Sequence, residues 1–125
     1  ASAGGIAAVV SALRAHGESR AGVAEQGCAA LRDLAVDDDN EKAIASAGGI
    51  AAVLSALRAH GGSHAGVAEN GCFALLCLSS DATSLSSLKS QSSEIRPAVE
   101  TAMSAHSSNA NIQKWGASVL KKLGQ

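Results

Sequence analysis

The side chains best equipped for chemistry in this 125-residue chain are three cysteines, four histidines and an acidic run, Asp37-Asp38-Asp39. Cys28 and Cys72 each follow a glycine in matching local sequence, Gly27-Cys28 and Gly71-Cys72, which suits small core residues better than reactive thiols. Cys72 and Cys77 lie five positions apart, so on one helix they point in different directions. They form neither a redox Cys-x-x-C nor half of a zinc site. Cys77 is the thiol expected to be exposed and weakly reactive.

His16, His60 and His106 follow the same local pattern, Ala15-His16, Ala59-His60 and Ala105-His106, each closing a predicted helix. A donor or cation at that place suits the free carbonyls of a helix C-terminus. Copies one helix-packing step apart, about 10 Å, are too distant to share an ion. His64 is separated from His60 by Gly61-Gly62, which breaks the helix between them. No metal site is therefore expected. Asp37, Asp38 and Asp39 read as a solvated helix cap rather than an acid/base pair in a cleft. The glycine pairs follow helices, not a strand, and so make no phosphate cradle of the G-x-G-x-x-G kind. No serine is paired with a particular His and Asp. Neither a catalytic centre nor a cofactor is expected, and the chain reads as no enzyme.

Composition narrows the scaffold that carries these residues. Apolar residues are 46 % of the chain, but only Phe73 and Trp115 are aromatic. Alanine and glycine supply much of the apolar content, which favours closely packed helices over strands built from β-branched and aromatic residues. Ten basic and eleven acidic residues leave a net charge of −1 with no Lys/Arg run, so no nucleic-acid footprint is visible. No apolar stretch reaches the roughly 18 residues of a membrane span, and the N-terminus lacks the pattern of a signal peptide. Three cysteines without paired spacing fit a reducing compartment, cytoplasmic or nuclear.

The organising feature is an internal repeat. Residues 1–36 and 45–80 are identical at 27 of 36 positions, with Ala3-Gly4-Gly5-Ile6-Ala7-Ala8-Val9 returning as Ala47 through Val53. A divergent third copy follows. Ala98-Val99 and Ala102 through His106 match Ala52-Val53 and Ala56 through His60, while Ile112, Gly116, Leu120 and Leu123 match Val67, Gly71, Leu75 and Leu78. A period of 44 to 46 residues lies in the range of two- or three-helix solenoid units. The chain divides into unit one (1–36), unit two (37–80) and unit three (81–125).

Each unit reads as three helices. In unit two the first spans about 40–46 behind the acidic cap, and Gly48-Gly49 breaks it. The second spans about 50–60, with Ile50, Val53, Leu54 and Leu57 as one apolar stripe. Ser63 is placed to cap the third, about 64–78, which turns Val67, Gly71, Ala74, Leu75 and Leu78 inward. A glycine inside a helix costs about 1 kcal/mol against alanine. Its return at Gly27, Gly71 and Gly116 therefore predicts a close helix crossing in every unit.

Asn40-Glu41-Lys42-Ala43-Ile44-Ala45-Ser46-Ala47-Gly48-Gly49-Ile50 resembles the junction between the first and second helices of armadillo repeats, the family of importin-α and β-catenin relatives. Val23 through Ala35 resembles that family's third helix, and Pro97 sits where the family often opens its second helix with proline. HEAT repeats are the near neighbour; the Gly-Gly turn and third helix favour armadillo. The resemblance implies an all-α fold, a right-handed α-α superhelix of about two and a half to three repeats. It also implies a protein-binding scaffold whose third helices line a concave face.

Carried over by position, the groove tryptophan of peptide-binding members falls on Ala29, Phe73 and Ser118, and the asparagine four residues on falls on Asp33, Cys77 and Lys122. This chain departs from that signature in all three units, which argues against extended basic peptides as ligands. Trp115, one turn earlier, is expected to pack or cap the last unit. The same face still carries a polarity series. It runs from Glu25, Ala29, Arg32 and Asp33, through Glu69, Phe73, Leu76 and Cys77, to Lys114, Ser118, Lys121 and Lys122. Either Phe73, Leu76 and Cys77 make an exposed apolar centre, or Leu76 and Cys77 are buried by the divergent third unit.

The expected partner is a protein or peptide, with no nucleic acid and no membrane. The chain opens inside what the resemblance makes a first helix, so unit one lacks most of that helix. Its blunt N-terminal face then implies an array fragment that self-associates end to end, as an alternative to binding on the groove. A substrate-recruiting part of a larger enzyme, such as a ubiquitin ligase, is the third implied role. At the far end, eight serines within 79–93 and Lys114, Lys121 and Lys122 suit a polar terminal cap.

Overall fold

The computed structural model describes residues 2–124. They form eight α-helices and no strand: α1 (Ser2–His16), α2 (Ala21–Leu34), α3 (Asp38–Ser46), α4 (Gly49–His60), α5 (Ala65–Cys77), α6 (Ala82–Ser90), α7 (Ser92–Ala105) and α8 (Ala110–Gly124). The fold is all-α, and among the described residues no single helix is long and apolar enough to cross a membrane.

A main core takes buried apolar residues from every helix, and a small second cluster joins Ala68, Ala102 and Ile112. Ile6, Val10 and Leu13 enter from α1, Cys28 and Leu31 from α2, Val53 and Leu57 from α4, and Cys72 and Leu75 from α5. The mid-helix glycines mark close crossings, as their return predicts. A Cβ on Gly27 would meet Leu13 Cγ at 2.5 Å, one on Gly71 would meet Leu57 Cγ at 2.8 Å, and one on Gly116 would meet Met103 Cγ at 2.7 Å. A leucine or methionine of the second helix thus fills each notch.

The caps follow a pattern only half visible beforehand. Asp37 accepts from the Asp39 and Asn40 N–H groups at 2.9 and 3.1 Å to start α3. Asp81, one period later, does the same for α6 with Thr83 and Ser84 at 3.0 and 3.2 Å. The serine-rich stretch therefore holds a full first helix behind a single retained aspartate. Its neighbour across the junction is Glu41, fully buried, which accepts from Ser80 Oγ at 2.7 Å and from the Asp81 N–H at 2.8 Å.

Three local expectations are corrected. Ser63 does not cap α5; His64 does, its Nδ1 accepting from the Val67 N–H at 3.4 Å. Pro97 does not open the second helix of unit three but sits inside α7, which begins at Ser92. Its missing N–H leaves one carbonyl of the preceding turn without its helical partner. Gly48 turns the chain between α3 and α4 with φ 86°. The matching Gly4-Gly5, by contrast, lies within the unbroken α1. Nothing packs within 4 Å of where their side chains would be, so no neighbour holds a turn open there.

Candidate interaction face of α2, α5 and α8

The third helices of the three units lie side by side, with α5 packed between α2 and α8. Apolar positions on one stripe of each helix face the core, and the opposite stripe forms a shared outer face.

A row of three side chains crosses that face. Phe73 of α5 stacks on Trp115 of α8, with ring centroids 4.5 Å apart and planes 19° from parallel. The Arg32 guanidinium of α2 stands 5.5 Å from the Phe73 ring centroid, within cation–π range. Arg32 is held there by two further contacts, Nη1 donating to Asn70 Oδ1 at 3.0 Å and Nε donating to Asp33 at 3.3 Å. Phe73 is thus neither an open apolar centre nor a buried core residue; it is half-covered, clamped between a cation and an indole.

Leu76, Ser118, Lys121 and Lys122 line a shallow cleft of about 390 Å³ on the α8 side of the row. Cys77 is half-buried on the α2 side. Burial pushes its thiol pKa up; Arg32 opposes that shift, and Glu41 and Asp33 add to it. Ala29 is half-buried on α2, and Asp33 is exposed.

Glu25, Glu69 and Lys114 occupy one repeat position but work along the edge of the helix row. The Glu25 carboxylate lies 3.8 Å from His64 Nε2, and Glu69 accepts from Asn109 Nδ2 at 2.7 Å. His64 and Asn109 also cap their own helices, Asn109 through the Ile112 N–H at 2.9 Å. One residue per junction thus starts a helix and ties it to the unit before. Lys114 stands exposed where the third glutamate would be.

Two members of the face escaped the positional carry-over. Trp115 does pack, but against Phe73 across the helix boundary. Asn70, which anchors Arg32, has glutamine at the equivalent position 26. Phe73 and Trp115 are the only two aromatic residues in the sequence, the one signal that could have paired them. Among the described residues, no group of three or more His, Cys, Asp or Glu is placed to hold a metal ion.

No family model, no curated protein and no solved structure matches this chain.

Proposed function

We propose that this chain is an armadillo-type repeat module, a right-handed superhelix of two and a half to three units, that binds a protein segment across α2, α5 and α8. The observation that supports it is the Arg32–Phe73–Trp115 row beside the Leu76 cleft. Aromatic and arginine side chains held rigid at a surface lose little entropy on binding, and they are enriched where interfaces concentrate their energy.

The charge series sets the direction of the guest. Lys121 and Lys122 border the cleft, so the segment lays a carboxylate-bearing end along α8 and an apolar side chain against Leu76 and Trp115. A net charge of −1 without a basic run favours a protein guest over a nucleic acid. Three free thiols suit a reducing compartment, cytosol or nucleus.

The test is a selection of displayed peptides on the wild-type chain, counter-screened on a Phe73→Glu variant that keeps its helical circular dichroism. Acidic peptides with an apolar anchor should enrich on the wild type and drop off the variant. Peptides that bind both proteins equally, or no enrichment at all, would sink the reading.

A further inference from the structure

The α2–α5 and α5–α8 boundaries carry equivalent positions, so each serves as a reference for the other. Arg32 corresponds to Leu76, Phe73 to Ser118, Leu76 to Lys121 and Cys77 to Lys122. At the first boundary a ring occupies the surface, for the Arg32 guanidinium of α2 stands 5.5 Å from the Phe73 centroid. At the second boundary that ring is missing. Ser118 puts a hydroxymethyl group where a benzyl group stands one unit earlier. The cleft of about 390 Å³ opens at this place, between Leu76 of α5 and Lys121 and Lys122 of α8.

The surroundings of the vacated place are chemically specific. Leu76 is half-buried and offers methyl groups where the first boundary offers a guanidinium. Lys121 and Lys122 are exposed, and neither forms an ion pair among the described residues. No Asp or Glu occurs within residues 101–125, so α8 carries nothing to neutralise them. An ammonium group is attracted to the face of an aromatic ring, an attraction that an aliphatic side chain does not provide.

We infer that the α5–α8 cleft takes an aromatic side chain of the partner, with its ring in the place that Phe73 fills one unit earlier. The ring lies against Leu76, and a carboxylate beside it in the partner chain pairs with Lys121 and Lys122. This rests on the reading of α2, α5 and α8 as a binding face, and it names the anchor which that face selects.

The probe is a displayed peptide library with one position varied over every residue type, between neighbours drawn from Asp, Lys and Ser. On the wild-type chain Phe, Tyr and Trp between acidic neighbours should enrich about threefold or more over Leu. Ser118→Phe fills the cleft from within, as Phe73 does one unit earlier. It should weaken the selected peptides about tenfold or more while keeping its helical circular dichroism. A Lys121→Glu, Lys122→Glu chain is altered only at exposed positions and gives a second arm that does not depend on the first variant folding. It should keep the ring preference and exchange acidic neighbours for basic ones. Selection without ring preference, equal binding by Ser118→Phe, or an unchanged choice of neighbours on the double variant would each overturn the proposal. If the same peptides still fall off Phe73→Glu, the binding face stands and only the anchor is refuted. Peptides held equally by Phe73→Glu, or no enrichment at all, would remove the face together with its anchor.

Discussion

His60 Nε2 and the Gly17 carbonyl oxygen lie 2.7 Å apart across 43 residues of sequence, and His106 and Gly61 repeat the bond at 2.8 Å. The carbonyl can only accept, so Nε2–H donates in both cases. The histidine at the end of each second helix therefore bonds the residue that ends the second helix before it. His16 has the same sequence context but is exposed at the front of the stack.

His60→Ala should accordingly lower the stability of the folded chain by about 1–2 kcal/mol, because the partly buried Gly17 carbonyl loses its side-chain partner. His16→Ala should change stability by less than about 0.5 kcal/mol. Urea unfolding of the two variants checks the pair; equal losses would show that the bond contributes nothing.

The glycines make a prediction in which the sign reverses with position. Gly71→Ala gains helix propensity of about 1 kcal/mol, but its Cβ meets the buried Leu57 side chain at 2.8 Å. Overpacking of that kind costs about 1–3 kcal/mol, so the net effect should be destabilising. Gly22→Ala meets open space and should be neutral or stabilising by up to about 1 kcal/mol. Thermal midpoints of both variants decide the matter, and a stabilised Gly71→Ala would contradict the crossing geometry.

Burial pushes the Cys28 thiol pKa up to about 12, with a smaller contribution from Cys72, and burial pushes Cys72 up to about 12 as well. The unfolded chain releases both protons near pH 9.0, while the folded chain still holds them. The folded state thus binds more protons above that pH, and stability must fall as pH rises from about 9 toward 12. The slope is at most about 1.4 kcal/mol per pH unit for each thiol. Denaturant midpoints between pH 8 and 11 should decline more steeply in the wild type than in a Cys28→Ala, Cys72→Ala double variant. Under native conditions a thiol reagent should modify Cys77 first, since it alone is only half-buried.

Glu41 is the buried carboxylate that holds the start of α6. Glu41→Ala removes the acceptor for both Ser80 Oγ and the Asp81 N–H and should cost about 2–3 kcal/mol. Amide exchange gives the more specific readout. The backbone N–H groups of Asp81 and the first turn of α6 should lose protection before those of α4 and α5. Uniform loss across the chain would mean that Glu41 serves general packing instead.

What could be read in advance follows from which interactions a period preserves. The second and third helices repeat in sequence because Leu13 with Gly27, and Leu57 with Gly71, are two-sided contacts in which both partners recur. Changes at one partner hid the rest. Asp81 alone remains of the acidic cluster, so the stretch that forms α6 reads in sequence only as part of a serine-rich polar cap. Pro97 suggests a helix start, while the Gln91 carbonyl, accepting from the Glu94 and Ile95 N–H groups, already begins α7 nearly two turns earlier. The Phe73–Trp115 stack joins residues 42 apart, out of step with the 44–46 residue period, so no alignment of copies superposes them. The same Gly-Gly pair bends at Gly48-Gly49 and continues the helix at Gly4-Gly5, so the pair alone does not predict a turn. Ile44 packs against Gly49 and the Arg14 side chain against Gly48, and nothing lies within 4 Å of where a Cβ would stand on Gly4 or Gly5.

The bond from His60 to Gly17 also bears on how such a chain can lengthen by duplication. Its acceptor is main chain, which every residue type supplies, so a newly copied segment brings a usable acceptor whatever side chain drifts into that site. Ser107 already stands where Gly17 and Gly61 stand in the earlier copies. For this bond only the histidine has to be inherited intact, whereas the glycine notches and the ties from His64 to Glu25 and from Asn109 to Glu69 each need both partners.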